Sequence, residues 1–158
     1  MKKSIFFTVS LVLLMGTFAK AQTLETWTWD SYHMKFKVPS DFEVLESTGE
    51  KFSAGNYDIN LTIYPEKVSD YTYDKMKSSL RTWTTSNNVV PDSKGYQYLE
   101  DLNGYWGCMV DGYKGESQIF LMMIHDPDYN DIACYVWLAY NQKSYDTALA
   151  ILKSFTPN

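Results

Sequence analysis

Two cysteines, Cys108 and Cys134, are the most reactive side chains that the sequence offers. A thiol acts as a nucleophile or a metal ligand as its thiolate, which needs a nearby base or cation and a polar, accessible setting. Both cysteines instead alternate with apolar residues: Trp106 and Val110 around Cys108, Ile132 and Val136 around Cys134. We therefore expect two buried free thiols that pack as small apolar side chains. A disulfide and a reactive or metal-binding thiol are the alternatives.

Whether the two cysteines can form a disulfide depends on the order of the strands. An even cysteine count in an exported chain favours a disulfide. The predicted meander, however, places Cys108 and Cys134 on two strands that flank a common middle strand. Neighbouring strands lie about 4.8 Å apart, so these two Cα atoms would be about 10 Å apart. That separation exceeds the limit of about 7 Å for a bridge, so the meander argues against a disulfide.

Histidines are the other side chains suited to catalysis or zinc binding, and the chain has two, His33 and His125. No CxxC or HxxxH spacing that would build a zinc site occurs in the sequence. The sequence also lacks the GxSxG turn of a serine hydrolase and a glycine-rich phosphate loop. We therefore assign no catalytic residue, expect no cofactor and favour a protein that is not an enzyme. The alternative is a small hydrolase whose site assembles around His125 with Asp126 or Asp128.

An acidic segment follows His125 and holds three carboxylates and an amide: Asp126, Asp128, Asn130 and Asp131. Oxygen ligands of this kind bind hard cations such as calcium. The calcium-loop pattern also requires a central glycine and a distal glutamate, and this segment has neither. Its residue types are typical of a turn between strands. We expect a turn and no metal, with Asp126, Asp128 and Asp131 as the candidates if a metal does bind.

Aromatic residues make up 16% of the chain, enough to serve both a core and a binding surface. Exposed rings bind sugars or partner proteins because they supply a large apolar area at a small entropic cost. Trp27 and Trp29 share one alternation, and Tyr96 and Tyr98 share another. We take these four as candidate ligand-binding residues if they are exposed together, and as core residues if they face the helices.

The elements that must position these side chains are mostly strands. Apolar runs predict strands at residues 33–38, 42–46, 57–64, 96–102, 105–113, 116–125 and 132–140. Lys114 and Gly115 form a tight hairpin signal between two of these strands. The strand at 132–140 is apolar on both alternations, which indicates that both faces of the sheet are covered.

Two helices are predicted from apolar residues spaced three and four apart. Their stripes are Tyr73, Met76, Leu80 and Trp83 in the first, and Tyr145, Ala148, Leu149, Leu152 and Phe155 in the second. Ser69 or Asp70 is expected to cap the first helix, and Ser144 the second. The order of strands, helix, antiparallel meander and helix predicts an α+β fold, an antiparallel sheet with a helix on each face.

The first 21 residues have the pattern of a secretory signal peptide. Two lysines precede an apolar run over residues 5–18, and Ala19 and Ala21 supply the small residues before the cleavage site. The alternative is an uncleaved membrane anchor. The run argues against it, because it is shorter than the roughly 20 apolar residues of a spanning helix. We therefore expect residues 1–21 to be removed and residues 22–158 to be one soluble α+β domain, periplasmic or extracellular, with no membrane span.

The chain is acidic, with a formal net charge of −5. Removal of the predicted signal peptide leaves 11 Lys and Arg against 19 Asp and Glu, a net charge of −8. A surface of this sign repels phosphate backbones, so we do not expect nucleic acid as a partner.

Three features together resemble the PsbP-like superfamily: the stretch FKVPSDFEV at residues 36–44, one helix between two groups of strands, and the closing ALAILKSFTP at residues 148–157. That superfamily includes the extrinsic subunit of photosystem II, the Mog-type Ran-binding proteins and bacterial secreted proteins of unknown role. The resemblance implies an α/β/α sandwich that, as in most members of the superfamily, acts by binding a partner and has no known catalytic apparatus. It assigns no individual functional residue.

These observations predict an exported binding or interaction protein whose partner is a protein or a glycan. One alternative is the small secreted hydrolase around His125. The other is a carbohydrate-binding module that uses the surface aromatic residues.

Overall fold

The computed structural model of the protein describes residues 23–129 and 131–158, so the predicted signal peptide lies outside the described residues. The two helices are α1 (Tyr73–Ser86) and α2 (Tyr145–Leu152). The strands are β1 (Leu24–Trp29), β2 (Met34–Pro39), β3 (Glu43–Ser47), β4 (Phe52–Gly55), β5 (Ile59–Lys67), β6 (Val90–Leu102), β7 (Tyr105–Lys114), β8 (Ser117–His125), β9 (Ile132–Tyr140) and β10 (Thr156–Pro157). In this described part, no helix is long and apolar enough to cross a membrane.

Seven of these strands form one antiparallel sheet in the order β3-β4-β5-β9-β8-β7-β6. Its half β9-β8-β7-β6 is the predicted meander, and the turn between β7 and β8 is formed by Gly115 and Glu116, one residue later than the predicted Lys114 and Gly115. Gly115 has a φ of +62°, which is the conformation that favours glycine in such a turn. The structure therefore confirms the antiparallel sheet and the α+β class.

Strand β8 supplies side chains to two hydrophobic cores on opposite faces of this sheet. Its residues alternate between them: Ile119, Leu121 and Met123 in one core, Phe120, Met122 and Ile124 in the other. Helix α1 packs on the first core through Met76 and Leu80. Helix α2 packs on the second through Ala148, Ile151 and Leu152.

A second, three-stranded sheet in the order β1-β2-β10 also packs on the core that α2 covers. Phe36 of β2 stacks on Phe155 with ring centroids 5.2 Å apart, which joins this sheet to the segment after α2. The sequence analysis predicted none of β1, β4 and β10 as strands. β4 and β10 have only four and two residues, too few to show a period-two pattern, and β10 pairs with β2 from the far end of the chain.

The N-terminal cap of α1 is Thr72, which corrects the prediction of Ser69 or Asp70. The Thr72 hydroxyl accepts a hydrogen bond from the amide of Lys75 at 3.3 Å. Asp70 instead adopts a φ of +50° in the preceding turn, so it cannot begin the helix. The actual cap therefore lies directly before the first helical residue.

Asn103, in the turn between β6 and β7, attaches the segment after α2 to the large sheet. Its side-chain amide donates hydrogen bonds to the carbonyl oxygens of Lys153 and Phe155, both at 2.9 Å. The backbone carbonyl oxygen of Asn103 accepts a hydrogen bond from the Thr156 hydroxyl at 3.3 Å. Asn103 also has a φ of +52°, a left-handed conformation that asparagine tolerates better than most residues.

We predict that Asn103→Ala lowers the free energy of unfolding by about 2–3 kcal/mol, because it removes two hydrogen bonds and because alanine tolerates the left-handed conformation less well than asparagine. Asn103→Gly should cost about 1 kcal/mol less, since glycine adopts that conformation freely. Urea denaturation of the three proteins measures both differences. Equal stability of all three proteins would show that the hydrogen bonds of the Asn103 side chain contribute nothing to the free energy of unfolding.

Asp111 of β7 accepts a hydrogen bond from the Tyr140 hydroxyl at 2.9 Å, and burial raises the pKa of its carboxyl. The folded protein therefore holds a proton on Asp111 more tightly than the unfolded chain does. Its contribution to stability is full below the ordinary aspartate pKa of about 4 and falls as the pH rises through the raised value.

We predict that Asp111→Asn, which keeps the acceptor oxygen but never ionises, becomes more stable relative to the unchanged protein as the pH rises from acid to neutral. Thermal unfolding of both proteins across that range measures the difference. A difference that does not change with pH would contradict the assigned burial of this carboxyl.

Candidate ligand-binding cavity

A cavity of about 220 Å³ lies where the three-stranded sheet meets the ends of β7, β8 and β9. Its floor, which we define as its buried lining residues, is Met34, Tyr105, Ile124 and Cys134. Its mouth, the exposed or half-buried lining residues, is Ser31, Tyr32, His33, Asp126, Tyr129, Asp131, Ile132, Pro157 and Asn158. The cavity is therefore apolar inside, with polar groups around its entrance.

Local backbone contacts hold the wall that β2 and β10 contribute. His33 has a φ of +47°, which turns the chain into β2, and its carbonyl oxygen accepts a hydrogen bond from the amide of Asn158 at 2.6 Å. Tyr32 packs on Trp29 with ring centroids 4.6 Å apart, and its hydroxyl donates to the carbonyl of Gly49. These contacts fix the side of the mouth that Tyr32, His33 and Asn158 form.

Tyr105 is the polar group of the floor. The residue is only 4% exposed, and its hydroxyl forms no hydrogen bond with any other residue in the described ranges. Because no fully buried side-chain polar atom in those ranges lacks a partner, this hydroxyl is open to the cavity that Tyr105 lines. Burial raises the pKa of Tyr105, and nearby Cys134 and Asp126 add to the effect. The phenol therefore stays protonated and presents a donor and an acceptor to whatever occupies the cavity.

Cys134 and Cys108 are both buried free thiols, as the sequence analysis expected. They lie on the two strands that flank β8 and belong to opposite cores, so no disulfide joins them. Burial raises the pKa of Cys134 to about 12 and that of Cys108 to about 11. Neither thiol has the ionised form that a nucleophile requires.

The acidic segment forms the predicted turn between β8 and β9. The Asp126 carboxylate accepts a hydrogen bond from the amide of Asp128 at 2.9 Å, and its carbonyl accepts one from Tyr129 at 3.1 Å. Asp126 and Asp131 reach the mouth of the cavity, whereas Asp128 does not. Across residues 23–129 and 131–158, no three His, Cys, Asp or Glu side chains are grouped closely enough to hold a metal ion.

His125 faces away from this cavity, toward helix α1. Its ring lies 5.4 Å from that of Tyr71 and 5.9 Å from that of Trp106, between centroids. Its Nδ1 atom is 2.9 Å from the carbonyl oxygen of Ile132, and the side chain is buried. Because Asp126 points to the opposite face, the structure does not assemble the arrangement of His125 with Asp126 that the hydrolase alternative requires.

Trp27 and Trp29, the first pair of aromatic candidates, face the core beneath the three-stranded sheet. Trp29 is 2% exposed, and its indole N–H donates to the carbonyl of Thr48 at 3.2 Å. Trp27 is half-buried and meets Phe52 edge to face, with centroids 6.4 Å apart. Trp29 is therefore a core residue, because its apolar ring and its one donor are both satisfied inside the protein.

Tyr96 and Tyr98, the second pair, lie on β6 beside α1. The guanidinium of Arg81 is 5.2 Å from the centre of the Tyr96 ring, and the ammonium of Lys77 is 4.9 Å from that of Tyr98. Tyr98 is 37% exposed and Tyr96 is half-buried. The two candidate pairs belong to different sheets, so the four rings do not form one platform.

Sequence reasoning missed the cavity, although it singled out four of its lining residues: His33, Asp126, Asp131 and Cys134. It also missed a cluster of four aromatic residues beside α1, Tyr64, Trp83, Tyr135 and Trp137, in which Trp83 lies 4.8–6.5 Å from the other three rings. The signal for this cluster was present, since Tyr135 and Trp137 share one face of β9 and Trp83 belongs to the α1 stripe.

No protein-family model and no curated protein matches the sequence. Solved structures do resemble it. A point mutant of the protein Mog1 superposes with a TM-score of 0.54 and 8% identity, over 84% of this chain and 95% of that chain. The Ran-binding protein Mog1p of Saccharomyces cerevisiae gives 0.51 and 7% identity, over 85% and 95%. The chain shares the fold of Mog1.

The mostly antiparallel sheet with two helices that the sequence analysis predicted is consistent with this Mog1 fold. LpqN, involved in cell envelope biogenesis of Mycobacterium tuberculosis, resembles the chain less, with a TM-score of 0.45 and 14% identity over 88% of this chain and 86% of that chain. At such identities the likeness to Mog1 concerns the fold, and the site must be judged from this chain's own residues.

We predict that neither cysteine of the folded protein is alkylated by iodoacetamide at about pH 8, because burial keeps both thiols protonated. In denaturing guanidinium without reductant, both should be alkylated. Mass spectrometry counts the added groups in each condition. Rapid labelling of the folded protein, or fewer than two labels after denaturation, would contradict the two buried free thiols.

Proposed function

We propose that residues 22–158 are an exported, single-domain binding protein of the PsbP-like α/β/α type, and that it holds a small, largely apolar ligand in the cavity. The signal-peptide pattern of residues 1–21 supports export. The absence of catalytic sequence motifs and the protonated state of both thiols support binding rather than catalysis.

The observation that carries the proposal is the Tyr105 hydroxyl, which belongs to an apolar floor and has no hydrogen-bond partner among the described residues. A hydroxyl that opens into a cavity bonds to water or to a ligand there, and a ligand that excludes the water must replace that hydrogen bond to avoid a cost in free energy. Ligand sites typically combine an apolar lining with a few such polar groups that fix the orientation of the ligand. The floor of this cavity has that composition.

The size of the cavity limits the ligand. Pockets for drug-sized molecules have volumes of roughly 300–1,000 Å³, and this cavity has about 220 Å³. We therefore expect a single short chain or one small ring to enter, with its polar end near the mouth. Binding also has a precedent in this fold, since Mog1p is described as a Ran-binding protein.

Octanol is a suitable probe because it combines a short apolar chain with one hydroxyl. We predict that it binds with a Kd on the order of 100 µM to 1 mM, as expected for about 0.5 kcal/mol or more per non-hydrogen atom in a small ligand. Two-dimensional amide NMR should show the largest shifts at the cavity, including Met34, Ile124 and Cys134. Shifts spread over the whole surface, or none, would overturn the proposal.

Two variants test the location of the site. Tyr105→Phe removes one hydroxyl that has no described protein partner, so it should weaken octanol binding about two- to tenfold without lowering stability. Ile132→Trp should obstruct the mouth and abolish binding. The controls are Tyr113→Phe, at an exposed tyrosine, and Leu149→Trp, at a half-buried residue outside the cavity. If neither Tyr105→Phe nor Ile132→Trp changed the affinity for octanol, this cavity would not be the binding site.

A further inference from the structure

The lining of the cavity is asymmetric in charge. Two carboxylates, Asp126 and Asp131, lie at the mouth, and no lysine or arginine occurs among the described lining residues. The chain as a whole is also negative, with a net charge of −5. The electrostatic potential of the mouth and that of the whole protein therefore both favour a cation at the entrance and disfavour an anion.

Neither carboxylate is neutralised by a described protein partner. One carboxylate oxygen of Asp126 accepts a hydrogen bond from the backbone amide of Asp128. That amide carries no positive charge, so it does not neutralise the carboxylate. Asp131 forms no side-chain hydrogen bond or ion pair with any residue in the described ranges. Both groups can therefore accept charge-assisted hydrogen bonds from a ligand.

Aromatic side chains line the same cavity as these carboxylates. Tyr32 and Tyr129 line the mouth, and Tyr105 lies at the floor, close enough to Asp126 for the two groups to interact electrostatically. Tyrosine faces attract cations, and a phenol oxygen accepts a hydrogen bond from an ammonium group. Carboxylates and tyrosines together are suited to a primary or secondary ammonium head above an apolar chain.

We propose that the natural ligand of this cavity is a small amphiphilic amine, with its apolar chain on Met34, Ile124 and Cys134 and its ammonium group between Asp126 and Asp131. This inference rests on the proposed function, because it specifies the ligand class of the same site. The turn between β8 and β9 then determines the selectivity, while the floor supplies the apolar contact.

The test compares three probes of equal chain length, octylamine, octanol and octanoate, by isothermal titration calorimetry at low salt. We expect octylamine to bind about five- to tenfold more tightly than octanol, and octanoate more weakly than either. Asp126→Asn combined with Asp131→Asn should remove the preference for the amine and leave octanol binding unchanged. Asp128→Asn is the matched control, since it removes one charge from the same turn at a residue outside the lining.

Each result has one meaning. If octanol binds but all three probes bind equally, the amine preference is wrong and the proposed function stands. If no probe binds, the proposed function itself fails. If Asp128→Asn reduces the preference as much as the double variant, the effect comes from overall charge and the assignment to Asp126 and Asp131 is wrong. Butylamine, as long as a lysine side chain, should bind much more weakly than octylamine; equal binding would overturn the amphiphile and point to a lysine of a partner protein.

Discussion

Burial of β8 on both faces is the constraint on which the rest of the structure depends. The six residues from Ile119 to Ile124 are each at most 2% exposed, and burial of one such side chain contributes about 1.5–3 kcal/mol. A strand that is apolar on both alternations cannot leave either face in water. Helix α1 covers one face, and α2 with the three-stranded sheet covers the other. The cavity lies where this second cover ends, near the last residues of β8.

The central part of the fold could be predicted from the sequence because its signals are local. The turn at Gly115 and Glu116 specifies which strands are neighbours, and apolar residues three and four apart specify α1. The cap of α1 was placed too early because Ser69, Asp70 and Thr72 are all suitable capping residues. Backbone geometry decides among them, since the positive φ of Asp70 leaves Thr72 as the residue in an extended conformation before the helix.

The cavity could not be predicted, because its lining comes from four separate parts of the chain. Tyr105 opens β7, Met34 opens β2, Ile124 lies next to the last residue of β8 and Pro157 belongs to β10. No spacing in the sequence joins these residues; the pairing of β10 with β2 brings them together. The acidic turn was recognised as a feature, but the direction of its carboxylates depends on the alternation that sends His125 to one face and Asp126 to the other. The exposure of the aromatic candidates could not be predicted either, since the indole N–H of Trp29 forms its hydrogen bond inside the core.

The placement of the two cysteines has a consequence for the study of the protein's motions. Cys108 and Cys134 lie on either side of β8, and each belongs to a different core. Proteins open in separate cooperative units whose free energies differ. Each of the two cores thus contains one cysteine. The rate at which that thiol reacts with a reagent in solution measures how often its own core opens. Unequal rates would identify which of the two covers separates first from the sheet, with no label added to the chain.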